Sequence, residues 1–205
     1  VVRGASPHRV VRERAAGLLN AFIESGKQLV ADGADGLTTT CGFLSLFQAE
    51  LAQAVDVPVA TSSLMQVPMV QKLLPPGKRV GVLTVSRENL TPDHLSAAGA
   101  PLDTPIAGTE TGREFFQFIM ENRLNMNAAA CRLDLLDAGR QLVADHPDVG
   151  AVVLECTNMG PYASELRREL GIPVFSGISF INWFQSGLLP PLYSGTTTDP
   201  REPAG

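Results

Sequence analysis

The chain matches itself. At an offset of 115 residues, Ala34-Asp35-Gly36-Leu37-Thr38-Thr39-Thr40-Cys41 aligns with Val149-Gly150-Ala151-Val152-Val153-Leu154-Glu155-Cys156, and the match runs on without a gap. Glu50-Leu51 falls on Glu165-Leu166, and Val57-Pro58-Val59 falls on Ile172-Pro173-Val174. Each of the two cysteines stands 17 residues before a proline that opens the next strand. Each half reads strand, cysteine, helix, strand. Two ordinary βαβ units are the plain alternative to a duplication. Cysteine is rare, three in 205 residues, so its coincidence with cysteine favours the duplication.

The rest of the chain alternates in the same way. Apolar residues at helical spacing predict a helix over 7–32, opened by Ser6-Pro7, and further helices over 43–55, 64–74, 91–99, 115–144, 164–170 and 178–189. The pattern over 115–144 is interrupted near Asn125-Met126-Asn127. Short apolar, β-branched runs predict strands over 34–40, 57–60, 78–85, 149–154 and 172–175. Such alternation implies parallel sheets covered on both faces, an α/β fold. The repeat divides it into two pseudo-symmetric lobes, each a parallel sheet flanked by helices. Pro75-Pro76-Gly77 is the best boundary. We expect a first lobe of 1–76 with a returning helix from 179–195, a second lobe of 77–178, and a flexible Pro/Gly-rich tail of 196–205. The opening Val1-Val2-Arg3-Gly4 reads as the middle of a strand whose preceding segment is expected to be missing from the sequence. No signal peptide is expected either.

Composition narrows the function. The formal net charge is -5 and basic residues are not clustered, which argues against nucleic acid and anionic membranes as partners. The apolar runs are too short and too polar to span a bilayer. Cys41, Cys131 and Cys156 are odd in number and lack CxxC spacing, which argues against a disulfide framework and a zinc site and points to a reducing cytoplasm. His8, His94 and His146 are scattered, so no metal site is expected. Cys131, in a helical run of alanines, reads as a small core residue.

Cys41 and Cys156 read differently, as catalytic. Ligands of open parallel sheets bind beyond the carboxyl ends of the strands. Both cysteines lie just past such an end and just before a helix, where unpaired N–H groups lower a thiol's pKa and cradle a carboxylate. A lobe facing its copy brings the two thiols to one cleft from opposite sides. One thiolate then removes a proton from an acidic carbon, and the other thiol returns one to the opposite face. A thiol, with an ordinary pKa of about 8.5, is readily tuned to such work. The backbone N–H groups of Gly42, Phe43, Thr157 and Asn158 and the hydroxyls of Thr157 and Ser86 are candidates to bind the substrate and stabilise its carbanion. Ser62 and Ser63 either touch the ligand or cap the next helix. Strand alternation turns Glu155 away from Cys156, into a structural or supporting role. Arg87 and Arg113 are candidate cations for a second carboxylate.

These residues resemble the aspartate/glutamate racemase superfamily, which includes hydantoin racemases, arylmalonate decarboxylases and maleate isomerases. The carriers are Thr38-Thr39-Thr40-Cys41-Gly42-Phe43, Val59-Ala60-Thr61-Ser62-Ser63, Val80-Gly81-Val82-Leu83-Thr84 and Leu154-Glu155-Cys156-Thr157-Asn158. The resemblance implies two α/β lobes with the active site between them, Cys41 and Cys156 as the catalytic pair, neither pyridoxal phosphate nor any other cofactor or metal, and frequent dimers. Where the amino-acid racemases carry Cys-Asn-Thr, this chain has Cys41-Gly42-Phe43. That departure, with Met159, implies a roomier and more apolar pocket, although Phe43, Phe47 and Met159 are by type core residues. Both cysteines being present disfavours decarboxylation, which in this superfamily keeps only the second. The expected function is a cofactor-independent racemase or epimerase acting on a small carboxylic acid, an amino acid or a derivative. A maleate-type cis–trans isomerase and a non-catalytic domain that senses a small acid are the alternatives.

Overall fold

The computed structural model describes residues 2–191. Arg3 and Gly4, read as strand, form a turn instead, with Gly4 at φ 82. Helix α1 (Pro7–Val11) begins where the Ser6 side chain accepts from the Arg9 N–H and Pro7 supplies the fixed φ of a first helical position. The long helix expected over 7–32 breaks after that turn. Arg14 and Ala15 adopt φ 54 and Gly17 φ 72, and the chain restarts as α2 (Leu19–Ala31). The apolar period survives the break because Val10, Val11, Ala15 and Leu18 still face the core.

Strand β1 (Leu37–Thr38) leads past Cys41 into a 3-10 turn (Gly42–Phe47) and then α3 (Gln48–Ala54) and β2 (Val59–Ala60). A second 3-10 turn (Ser63–Met65) runs into α4 (Gln66–Gln71). Next come β3 (Arg79–Thr84), α5 (Pro92–Ala97) and β4 (Ile106–Gly108). Strand β4 has no counterpart among the expected strands. Its segment, Thr104-Pro105-Ile106-Ala107-Gly108, is too short and too weakly apolar to show a period, and its pairing with β3 alone makes it a strand. Helices α6 (Phe115–Met120) and α7 (Ala128–Asp145) separate at Asn127, whose side chain caps α7 by accepting from the Ala130 N–H at 3.1 Å. The chain closes with β5 (Val149–Leu154), a third 3-10 turn (Thr157–Tyr162), α8 (Ala163–Leu170), β6 (Val174–Phe175) and α9 (Gly177–Leu188). The tail expected to be flexible, 196–205, lies outside the described residues, as do 192–195 of the returning segment.

The strands form two parallel sheets, β1-β2 and β4-β3-β5-β6. The repeat is visible in their registers. Leu37 pairs with Val59 and Thr38 with Ala60, while Val152 pairs with Val174 and Val153 with Phe175. The two 3-10 turns and the helices after them stand at the same offset of 115 as the cysteines. The centre of the larger sheet is fully apolar. Val82, Leu83, Ala151, Val152, Val153 and Leu154 are all 0% exposed, as a parallel sheet covered on both faces demands. Helix α9 crosses to the smaller sheet, where Phe184 and Leu188 pack on the backbone at Gly36.

One buried carboxylate holds α6 in place. Asp134 of α7 accepts from the N–H groups of Arg113, Glu114 and Phe115 at 2.9, 2.8 and 2.8 Å. These are the orphan donors at the start of α6. Replacing Asp134 with Ala leaves three donors unpaired, so Asp134→Ala should cost about 2–4 kcal/mol of stability in urea unfolding. A change below about 0.5 kcal/mol would show that the cap is solvent-supported.

Candidate active site

Cys41 and Cys156 occupy equivalent places. Each is the extended residue before a 3-10 turn, at φ -137, ψ 120 for Cys41 and φ -83, ψ 130 for Cys156. Both line one cavity of about 600 Å3, together with Glu155. Thr38, Thr39, Thr40, Asn122 and Asn158 supply its polar wall. Val10, Val11, Phe22, Leu44, Val85 and Ile119 supply its apolar wall. Among the described residues lining it there is no Lys, Arg or His.

The two cysteine loops are tied together. Thr157 Oγ1 donates to the Thr40 carbonyl at 2.7 Å. Ser63 Oγ lies 2.6 Å from the Leu154 carbonyl oxygen and 2.9 Å from that of Glu155, within donating distance of either. Thr39 Oγ1 stands against the carbonyls of Thr61 and Cys41. These bonds hold the end of β1 against the end of β5 in a region that neither sheet pairs directly.

The candidate substrate-binding residues divide. Asn158 is on the cavity wall, and its Nδ2 lies 3.7 Å from Cys156 Sγ, donating toward the sulfur. Gly42, Phe43, Ser62, Ser86 and Thr157 stand behind the wall. Phe43 is buried, edge-to-face with His94 at 5.1 Å. Ser62 Oγ accepts from the Leu64 N–H at 3.1 Å and so caps the turn. Ser86 is buried and accepts from Asn89 Nδ2 at 2.8 Å. The Thr157 hydroxyl is engaged with Thr40. Arg87 and Arg113 are exposed and away from the cavity. Phe43 and Met159, from which a roomier pocket was expected, are core residues, and the space above Gly42 is filled by Glu155, so none of the three shapes the cavity wall.

Glu155 is the residue that the sequence reading set aside. Strand β5 ends at Leu154, so alternation no longer governs the next side chain. The Glu155 side chain is 1% exposed and lies directly under the first cysteine loop. A Cβ on Gly42 would sit 2.6 Å from its Cγ and Oε1. Thr84 Oγ1 donates to Oε2 at 3.0 Å, and the N–H groups of Val85, Gly42 and Phe43 point toward the carboxyl group. Oε1 nonetheless lacks a hydrogen bond of full geometry. The signal available in the sequence was a glutamate beside a cysteine at the end of an otherwise apolar strand, since a buried acid is rare without a purpose.

Burial dominates the electrostatics. It pushes the Glu155 carboxyl up to about 7, against the hydrogen bonds that favour its charge. It also pushes Cys156 up to about 12, with the charge of Glu155 adding to the effect. Cys41 is raised well above its ordinary value by burial, then by Glu155 and Cys156. The N–H groups at the two turns act in the expected direction, those of Asn158 and Met159 on Cys156 and that of Phe43 on Cys41. They are outweighed, because removing a thiolate from water costs more than one or two dipoles return. Burial and the Glu155 charge thus act against the tuning toward neutrality that the turns alone would give the thiols.

Two predictions follow from this packing. Gly42→Ala drives a methyl group into the Glu155 carboxyl and carbonyl, and should cost about 1–3 kcal/mol in thermal or urea unfolding. Tolerance of Ala without loss would place Glu155 elsewhere. The second prediction concerns pH. Glu155 has a folded pKa of about 7 against an ordinary 4.5, so its contribution, on the order of 3 kcal/mol at most, is present below pH 4.5 and lost as pH rises through 7. His94, lowered to about 4 by burial and then by the Arg14 charge, has the opposite sign: its contribution is present above 6.5 and lost as pH falls through 4. Between 4.5 and 6.5 the two slopes oppose. Wild-type stability should be nearly flat there, while Glu155→Gln should leave the His94 slope exposed, with stability rising with pH. Parallel curves for the two proteins would contradict the assignment.

The chain matches the model of the family described as Asp/Glu/Hydantoin racemase over residues 60–183, well over half of its length. That segment contains Cys156, and Cys41 lies before it. A dimethylsulfoniopropionate lyase from Durusdinium sp. clade D is 24% identical over 163 residues, covering 77% of this chain and 54% of that protein. The chain thus spans about half the length of this curated relative. Allantoin racemase from Klebsiella pneumoniae superposes with a TM-score of 0.63 at 18% identity, covering 83% of this chain and 66% of the other. A glutamate racemase from Bacillus anthracis does so with a TM-score of 0.60 at 19% identity, covering 91% and 68%. At these identities the likeness to the solved structures is one of fold, two-sheet α/β with helices on the sheet faces. Taken with the match over 60–183, it means that this chain belongs to the Asp/Glu/hydantoin racemase family.

Proposed function

We propose that the protein is a cofactor-independent racemase or epimerase that inverts a carbon next to a carboxylate or carbonyl, with Cys41 and Cys156 as the two proton-transfer groups. The observation that carries this reading is the opening of both thiols onto one cavity from equivalent positions of the repeat. One sulfur takes the proton, and the resulting carbanion places its charge on the adjacent carboxylate or carbonyl. The other sulfur delivers a proton to the opposite face. Neutral donors are what the cavity provides for that charge. The amide of Asn158 stands beside Cys156 and the hydroxyl of Thr40 beside Cys41, those of Thr38 and Thr39 being donated to the carbonyls of Ala60 and Thr61. A small, singly charged acid suits such a wall better than a dicarboxylate, which would need a cation.

The likeness to a dimethylsulfoniopropionate lyase favours a second reading, elimination. It shares the first step. If the carbon next to the carbanion bears a leaving group, the electron pair of the broken C–H bond forms a double bond and the group departs. One cysteine then suffices as base, and no proton returns to the opposite face.

Proton NMR in heavy water separates the two. A racemase inverts the carbon and incorporates one deuterium there, and Cys41→Ser or Cys156→Ser each lowers inversion about 10²–10⁴-fold. A lyase releases the leaving group and an unsaturated acid, with a severe loss in only one of the two variants. Undiminished inversion in both serine variants would end the two-cysteine reading.

A further inference from the structure

The two-cysteine scheme makes no use of Glu155, yet among the described residues no other ionisable group is so placed. It directly precedes Cys156, and its Oε1 faces the backbone of Gly42, which directly follows Cys41. It lines the same cavity as both thiols, and its Oε1 lacks a hydrogen bond of full geometry. What packs against it is otherwise uncharged. Strand β3 offers the Thr84 hydroxyl and the Val85 N–H, and the first 3-10 turn offers the N–H groups of Gly42 and Phe43. The turn at Ser63 offers a hydroxyl to its carbonyl. The titratable groups that face it are Cys41 and Cys156.

We propose that Glu155 is a positioning residue that carries the single negative charge of the site and exchanges it with the thiols. Before activation the carboxylate holds the charge and both cysteines are thiols. Activation moves one proton from a cysteine Sγ to the carboxylate. The S–H bond breaks, the O–H bond forms, and the charge passes to sulfur. The buried site keeps one charge throughout, so the step avoids placing a thiolate beside a carboxylate in a low-dielectric interior, where like charges oppose each other strongly. The order of affinities agrees: Glu155 titrates near 7 and Cys156 near 12, so the first proton lost belongs to the carboxyl group. The catalytic meaning of this exchange rests on the two-cysteine reading, but the exchange itself is observable without substrate.

The test is alkylation of the ligand-free protein by iodoacetamide, resolved for Cys41 and Cys156 by peptide mass spectrometry, from about pH 5 to about pH 11. With one shared charge, the wild-type thiolate population rises up to the Glu155 titration near pH 7, then levels before a second rise at high pH. Glu155→Gln removes the levelling. Its rates should coincide with wild type at acidic pH and diverge above the titration, reaching about tenfold faster one pH unit beyond it. A packing role alone would raise the rates by one factor at every pH, and that result would overturn the proposal. So would a single unbroken rise in the wild type, a measurement that stands even if the glutamine variant does not fold. Thr84→Val, which removes the donor to Oε2, should move the levelling to higher pH, and an unmoved profile would count against the assignment. Levelling in a protein without racemase activity would keep the charge exchange and discard the two-cysteine reading, whereas inversion without levelling would do the reverse.

Discussion

A buried carboxyl group joins the two halves of this protein. Glu155 reaches from the end of the buried strand β5 to the backbone of Gly42, closely enough that no side chain fits between them. The contact decides several things at once. It requires glycine after Cys41. It brings the first 3-10 turn over the carboxyl end of the larger sheet. It also sets a potential that both sulfurs feel, since the Glu155 charge opposes ionisation of each. Among the described residues, Thr84, at the end of the neighbouring strand β3, supplies the one full hydrogen bond that the carboxyl group receives from a side chain.

The surrounding fold serves to keep that contact buried. Strands β3 and β5 are covered on both faces, so their carboxyl ends emerge from an interior with few polar groups and none charged besides Glu155 among the described residues lining the cavity. Thr157, Ser63 and Thr39 then stitch the loops at those ends through their hydroxyls to backbone carbonyls. Hydroxyl-to-carbonyl bonds of this kind satisfy buried groups without adding charge. This leaves Glu155 and the two thiols as the ionisable groups among the described residues of the cavity. Under the proposed function, this composition leaves the negative charge formed at an acidic carbon to be shared among these three groups.

The parts of this arrangement that were legible beforehand are local or periodic. The repeat predicted both cysteines at equivalent strand ends, and the paired registers of β1-β2 and β5-β6 reproduce it residue for residue. Alternation of strand and helix predicted the parallel α/β architecture, and a proline or an asparagine marked the starts of α1 and α7. The reading lost resolution where a tertiary contact overrides a local pattern. The helix expected over 7–32 breaks at a run of left-handed residues that no propensity forbids. Strand β4 exists because β3 has a free edge beside it. Ser62, Ser86 and Thr157 looked like ligand contacts because hydroxyls near strand ends are ambiguous, and the structure engages each within the protein.

By itself, then, the sequence determined the fold class, the duplicated unit and the pair of cysteines, because each follows from spacing along the chain. Only the tertiary structure decided what surrounds those cysteines. Whether a thiol beside a helical turn is easier or harder to ionise depends on how much water reaches it and which charge lies across the gap. Here burial and Glu155 outweigh the turn dipoles. That charge comes from a residue whose sequence position argued for turning it away. Alternation holds only while the strand continues, and β5 stops one residue before it.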